Sequence, residues 1–346
     1  MRVLVAMSGG VDSSVAAALL QQQGHDVTGA TMKLWGGESD TGCCSVADVD
    51  DARRVCQQLG ITHHVFNFSD EFERHVVDPY VADHAGGRTP NPCVECNRHL
   101  KFDRFLERAV QLGFDAVATG HHARVELAGD RHWELKRGAD PAKDQSYVLH
   151  MLGQPQLGRT MLPVGHLTKR DVRQVAARLR LRTAAKADSQ DVCFISRASG
   201  REAFLGARIP LREAKVSDLN GAVLGSLPGF ELLTVGQRRG LGSIRSAGGE
   251  RAYIVERDQA TATVTVGALG DLLVQEIAVG AMSWVDAAPA VGDTLEVQMS
   301  AHGRPVAASW DPASRVVVAE PVRRVAPGQS VVLYRGDSVV GGGPAA

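Results

Sequence analysis

No stretch of this 346-residue chain approaches the ~20 consecutive apolar residues that a membrane-spanning helix needs. Its first residues, Met1-Arg2-Val3-Leu4-Val5-Ala6, are too few for the apolar core of a secretory leader and lack a cleavage site. They read as an opening strand, so the expectation is a cytoplasmic protein without membrane contact. Net charge is nearly absent: 38 Lys and Arg face 39 Asp and Glu, leaving −1. Bulk charge therefore draws no nucleic acid toward the chain. There are no internal repeats and no low-complexity block, which sets aside solenoids and disordered tails. Two common nucleotide loops are also missing. Neither G-x-x-x-x-G-K-S/T nor G-x-G-x-x-G occurs, which removes the two most familiar phosphate cradles.

What is present is an ordinary globular composition, 44% hydrophobic and 22% charged, in a chain long enough for two or three domains. The six cysteines are Cys43, Cys44, Cys56, Cys93, Cys96 and Cys193. In a reducing compartment they point to metal, catalytic or redox work and away from disulfide staples. Charge is also unevenly spread. Residues 159–215 carry 13 Lys or Arg against 5 Asp or Glu, whereas residues 1–142 carry 14 against 20. A basic middle after an acidic start is either an RNA footprint or a solvated helix face.

The order of elements gives the architecture. Strand patterns at 2–7, 25–34, 62–68 and 115–119 alternate with helical patterns at 11–23, 46–59 and 97–112. That alternation predicts an α/β domain with a parallel, doubly wound sheet covered on both faces. A basic helix follows at 168–181, with Thr168 as its N-cap and Asp171 in its first turn. From about Phe204 helix signals give way to short strands, expected at 231–235, 252–256, 263–266, 295–299, 315–319 and 330–334. Three domains are expected: 1–203 as the α/β domain, 204–270 as a small β-rich domain, and 271–346 as a C-terminal β-barrel. The glycine-rich tail 341–346 is expected to fray.

The most informative segment is Ser8-Gly9-Gly10-Val11-Asp12-Ser13-Ser14, placed where a strand gives way to a helix. Adjacent glycines admit an anion close to the backbone, and the helix start presents N–H groups and the positive end of its dipole. Asp12, in the first turn, is a candidate to hold phosphate-bound Mg²⁺. Strand–SGGxDS–helix resembles the PP-loop of ATP pyrophosphatases, which cleave ATP to AMP and pyrophosphate. Such enzymes adenylate an oxygen and so turn it into a leaving group; the loop alone leaves the nucleophile open among amidation, argininosuccinate synthesis and thiolation.

Further segments narrow this. They are Gly87-Arg88-Thr89-Pro90-Asn91-Pro92 with Cys96-Asn97, Ala118-Thr119-Gly120-His121, Lys143-Asp144-Gln145-Ser146-Tyr147, and Asp188 through Ile195 around Cys193. With these the chain resembles, over essentially its full length, the bacterial tRNA-specific 2-thiouridylase (MnmA) family. The resemblance implies ATP contacts from Ala6, Met7, Ser8, Gly9, Gly10, Val11, Asp12 and Ser13, with Met32 and Gly120 at the carboxyl ends of neighbouring strands. It implies a persulfide on Cys193, received from a sulfur-relay protein or cysteine desulfurase, and Cys96 as nucleophile, closing a Cys96–Cys193 disulfide. Asn91, Pro92, His121, Lys143, Asp144, Gln145 and Gln329 would meet the tRNA. The substrates implied are tRNAs for Lys, Glu and Gln, and the expected state is a monomer.

A thiolase chemistry needs one sulfur able to attack an activated carbon and a second thiol to break the S–S bond. Cys96, expected just ahead of a helix, and Cys193, expected in an exposed polar loop, suit that need. Cys56, on a helix beside Val55 and Leu59, reads as core. Two departures from the family stand out. Many members carry Asp where this chain has Cys93, and no Arg-Tyr pair occurs near residues 300–304. The resulting Cys93-Val94-Glu95-Cys96 allows a second resolving thiol, the preferred reading, or with Cys193 an iron–sulfur cluster. Cys43 and Cys44 read as incidental thiols of a long loop. An argininosuccinate-type ligase would need no thiol pair, and a purely RNA-binding or relay module would need no pyrophosphatase loop.

Overall fold

The computed structural model describes residues 1–35, 45–129, 132–188, 192–195, 200–246 and 248–346; Cys43 and Cys44 lie outside them. Three sheets organise the chain. The first holds β1 (Arg2–Ala6), β2 (Asp26–Lys33), β3 (His63–Asn67), β4 (Ala116–Ala118) and β7 (Thr160–Met161) in the order β3-β2-β1-β4-β7. All of its pairings are parallel. Val3, Leu4 and Val5 of β1 are fully buried, because the strand is central and apolar on both faces. On one face, α1 (Val11–Gln22) and α2 (Val46–Leu59) pack Val15, Leu20, Val55 and Cys56 against Val3 and Val5. On the other, Phe72, Leu100 and Phe105 pack against Leu4. The sequence order reverses beside β1, where β2 and β3 lie to one side and β4 and β7 to the other. Ligands bind open α/β sheets at such a switch point.

The second sheet is four-stranded, with Ala214–Ser217 between Val223–Leu227 and Thr263–Gly267, and Tyr253–Asp258 on the far edge. The strand expected at 231–235 is absent: Phe230–Leu232 is a 3₁₀ turn. Its Glu231 is drawn inward by Arg212 at 2.7 Å, which overrides the local strand signal. Helical structure also runs further than expected, over Gly200–Gly206, whose Phe204 and Leu205 join the first core.

The third sheet is antiparallel and curls into a barrel. Its strands run from Leu273–Ala278 through Arg315–Arg323, Val306–Asp311, Leu295–Gln298 and Ser330–Arg335 to Ser338–Pro344. A bridge between Val279 and Ala345 brings its two ends together. The tail is therefore not frayed. Ser338–Pro344 is a paired strand, and its glycines let it sit where no side chain fits. A Cβ on Gly341 would lie 2.4 Å from the Ser283 carbonyl, and one on Gly342 would lie 2.7 Å from His150 Nδ1. A hairpin that follows β4, β5 (Ala123–Leu127) and β6 (Trp133–Arg137), extends this same sheet through Lys136 opposite Ser338.

Candidate active site

The phosphate loop fills the gap between β1 and α1. Gly9 has φ +71°, and a Cβ there would lie 2.3 Å from the backbone oxygen of Asp48 in the first turn of α2. Glycine is thus required twice, by conformation and by the close approach of a second helix start. Gly120, just beyond β4, is equally confined: a Cβ would fall 2.6 Å from the Ser13 nitrogen. The serines are engaged within the loop. Ser13 and Ser14 hydroxyls donate to the Gly10 carbonyl at 3.2 and 2.7 Å, and the Ser8 N–H donates to Ser13 Oγ at 3.2 Å. They shape a backbone cradle and are not loose donors.

Asp12 is the charged centre of the loop. Both its oxygens accept from Lys169 Nζ at 2.7 Å, and Oδ1 accepts from His122 Nε2 at 3.1 Å. Burial works to raise its carboxyl, but the bonds from His122 and Lys169 prevail and hold it below the ordinary value. Lys169 also reaches Asp188 Oδ1 at 3.0 Å. Asp188 in turn pairs with Lys143 at 2.8 Å and Arg173 at 2.7 Å. Burial opposes its ionisation too, yet Lys143 and Lys169 bring it down to about 2. A single carboxylate beside a phosphate cradle is a suitable ligand for a hard divalent cation that keeps most of its waters.

Cys96 and Cys193 share an apolar cluster with Ala6 and Met32, at the carboxyl ends of β1 and β2. The helix expected from residue 97 starts earlier, at Pro92, where Asn91 Oδ1 accepts the Cys93 N–H at 3.1 Å as a cap. Cys96 is therefore one turn inside the helix and not ahead of it. It opens a π-helical stretch, Cys96–Arg104, a winding often found at functional sites. Cys96 is buried in the cluster that also contains Leu4, Ala6, Met32 and Phe194, and Cys193 packs against that cluster. Cys193 is half-buried, contrary to the exposure expected from its polar neighbours, because adjoining Phe194 anchors it among Phe72, Tyr80 and Phe204. Cys93 is exposed. Burial pushes the Cys56 thiol up to about 12, as befits a core residue. Among the described residues no three His, Cys, Asp or Glu side chains gather as metal ligands, so the iron–sulfur option rests on spacing alone.

The residues expected to meet RNA fall in two groups, one around His121 and the 143–145 segment and one where Gln329 meets the loop of Asn91 and Pro92. His121 is buried; its Nδ1–H donates to Thr119 Oγ1 at 2.7 Å and its Nε2 accepts from Lys101 at 3.4 Å. Burial and the neighbouring Lys101 charge keep it neutral. Gln145 clamps the next residue from both sides, accepting the His122 N–H at 2.8 Å and donating its own N–H to the His122 carbonyl at 2.9 Å. Asp144 accepts from the N–H groups of Gly138 and Ser146 at 2.9 and 3.0 Å, and from Arg137 at 3.2 Å. Gln329 donates to the Thr89 carbonyl, and Thr89 N–H donates to Pro327 O at 2.8 Å. The turn of the barrel thereby braces the loop that carries Asn91 and Pro92.

His122, Lys169 and Asp188 acquire their place beside Asp12 only through the fold. Lys169 belongs by sequence to a basic helix face, but it points into the phosphate loop. Arg173 likewise faces inward, donating to the carbonyls of Ala184 and Lys186 at 2.9 and 3.1 Å. The available signal was position: Lys169 is the first residue of its helix, where the dipole disfavours a cation.

Residues 1–197 match the family described as the tRNA methyl transferase HUP domain, 202–268 its PRC-barrel domain, and 274–345 the aminomethyltransferase beta-barrel domain. Relatives match along the whole chain. The tRNA-specific 2-thiouridylase MnmA of Chloroflexus aurantiacus is 48% identical, covering 99% of this chain and 97% of that protein. Its namesake from Chloroflexus aggregans is 46% identical with the same coverage. The one from Mycobacteroides abscessus is 45% identical over 99% of this chain and 98% of its own length. Identity at this level, sustained through all three sheets, makes the chain a member of the MnmA family of tRNA-specific 2-thiouridylases.

Proposed function

We propose that this chain uses ATP to replace the C2 oxygen of uridine 34, the wobble base of tRNA, with sulfur. The C2 oxygen attacks the α-phosphorus, and pyrophosphate leaves with the bonding electron pair. The terminal sulfur of a Cys193 persulfide then adds at C2, and AMP departs with the original oxygen. The Cys96 thiolate attacks the Cys193 sulfur, forming a Cys96–Cys193 disulfide and releasing the thiolated base; two cellular thiols, themselves oxidised to a disulfide, reduce it, and the sulfur donor recharges Cys193 for the next turnover. The observation that carries this reading is the sharing of one apolar cluster by Ala6 and Met32 on the nucleotide side and Cys96 and Cys193 on the sulfur side. An adenylated base between them would be within reach of both chemistries and shielded from water.

The phosphate loop from Ala6 to Ser13, with Met32 and Gly120, would hold ATP. Mg²⁺ held by Asp12 would neutralise phosphate charge. Asn91 and Pro92 would line the pocket for the flipped base, since a base stacked in its loop cannot present C2. His121, kept neutral, would present no competing charge to it. Lys143, Asp144, Gln145 and Gln329 would position the RNA, largely by holding the loops that meet it. Cys93 would act as a second resolving thiol at the pocket mouth. The units 1–203, 204–270 and 271–346 would divide the labour as catalytic domain, connector and RNA-contacting barrel. The setting is the cytoplasm, the substrates tRNAs for Lys, Glu and Gln, the donor a sulfur-relay protein or cysteine desulfurase, and the enzyme a monomer. Among the described residues no helix is long and apolar enough to cross a membrane. Mass spectrometry of tRNA nucleosides from cells lacking the protein tests the reading. Loss of 2-thiouridine derivatives is expected, and their persistence at full level would overturn it.

A further inference from the structure

Three cations and two carboxylates form one chain beside the phosphate loop. Lys169 bridges Asp12 and Asp188, and Asp188 also takes Lys143 and Arg173. The count leaves one positive charge in excess before His122 is considered. The excess lies where an incoming ATP would bring negative charge. Lys169 is the pivotal member: its side chain is only 12% exposed, and its ammonium lies 2.7 Å from both oxygens of a phosphate-loop residue. Its backbone is held as firmly. Lys169 N–H donates to Asp140 Oδ2 at 2.9 Å, and the Thr168–Asp171 capping box fixes the first turn. A lysine at a helix start opposes the dipole, so helix stability does not explain its placement.

We infer that Lys169 is a phosphate ligand held in reserve: Asp12 keeps the ammonium at the loop, and releases it to the pyrophosphate portion of ATP when Asp12 turns to the metal. This rests on the ATP-cleaving reading above. As the bond between the α-phosphorus and the bridging oxygen breaks, the electron pair and its charge pass to pyrophosphate. A lysine ammonium at that position stabilises the departing group more than the intact nucleotide, which favours cleavage over mere binding. Asp188 keeps the lysine aligned throughout, because its other partners, Lys143 and Arg173, leave it ionised when Asp12 lets go.

The test is calorimetry of inorganic pyrophosphate and of AMP on the full chain, without tRNA, for the wild type, Asp12→Asn, Lys169→Gln and the double variant. Lys169→Gln is expected to weaken pyrophosphate binding about 10- to 100-fold, the worth of one or two charge-assisted hydrogen bonds, and to leave AMP binding nearly unchanged. In Mg²⁺-free buffer Asp12→Asn should bind pyrophosphate more tightly than the wild type, because the competing carboxylate is gone. Adding Lys169→Gln should remove that gain. The double variant buries no unpaired charge, so it reports even where Lys169→Gln alone fails to fold. Equal pyrophosphate binding by Asp12→Asn and the double variant would overturn the inference and leave Lys169 a counterion of Asp12. Failure of the wild type to bind either AMP or pyrophosphate would instead overturn the ATP-cleaving reading, and the inference with it.

Discussion

At the residue scale the functional side chains are fixed by partners far away in sequence. Asp12 is ionised because Lys169 and His122 converge on it. Asp12→Ala removes the proposed metal ligand, so formation of AMP and pyrophosphate, followed with radiolabelled ATP, should fall at least 100-fold; ADP as product would contradict the loop chemistry. Cys193→Ser removes the proposed sulfur carrier and leaves the proposed adenylation site intact. The variant should still release pyrophosphate and adenylate tRNA but yield no 2-thiouridine; full thiolation would refute the carrier role. Buried histidines give a pH signature. Burial lowers His84 to about 4 and His150 to about 3, and keeps His121 well below its ordinary 6.5. His84 and His150 are neutral in the folded chain at pH 5, whereas the unfolded chain protonates them below about 6.5. The unfolded state then binds more protons, so stability is complete above that pH and declines as pH falls. The slope is about 1.4 kcal/mol per pH unit for each such histidine. Denaturant melts between pH 7 and 5 should show this loss, and replacing His150 should flatten it by about one proton.

At the scale of single elements, helix starts do much of the work. α1 and α2 both aim their first turns at the phosphate loop, and Gly9 is the contact between them. Gly9→Ala must adopt φ +71° against a carbonyl 2.3 Å away. The left-handed conformation alone costs about 1–2 kcal/mol, and relief of the clash would push α2 off the loop. ATP binding, measured by calorimetry, should be lost before the fold is. The Lys169–Arg178 helix divides its charges: Lys169 and Arg173 face inward, whereas Arg170 and Arg178 are exposed. Arg178→Glu should lower the salt dependence of tRNA binding by about one phosphate contact, equally for all tRNAs. An unchanged salt slope would return that face to plain solvation.

Across the whole molecule, the loop ahead of the two helical cysteines is clamped from both accessory sheets. Arg257 donates to the Gly87 carbonyl at 2.7 Å from one side, while Pro327 and Gln329 hold Thr89 from the other. The β5–β6 hairpin ties the barrel to the catalytic region, with Arg137 stacked 3.6 Å over Tyr334 and bonded to Gln298 at 2.7 Å. Tyr147 adds a bond to the Ser330 carbonyl at 2.7 Å. A chain ending at residue 270 would uncover Leu135, Tyr147 and Leu149, which share a cluster with Val332 and Tyr334. It should bind a hydrophobic dye and lose its cooperative melt. A truncated chain that melts sharply without binding dye would show the barrel to be dispensable for folding.

The sequence by itself determined what depends on neighbours along the chain. Strand–glycine–helix at residues 2–22 specified the phosphate loop, since glycine tolerance and a helix start are local properties. The alternation of apolar strands and helices determined the parallel sheet, and the thiols at 96 and 193 indicated the branch of chemistry. Tertiary structure decided the rest, because a long-range partner leaves no local trace. It turned Lys169 and Arg173 inward to carboxylates and carbonyls, and drew Glu231 out of a strand toward Arg212. It folded the glycine tail into a strand against Ser283 and His150. It also carried the hairpin at 123–137 into the last sheet. In each case the energy comes from an ion pair, a close approach or an edge pairing between segments that only the folded chain brings together.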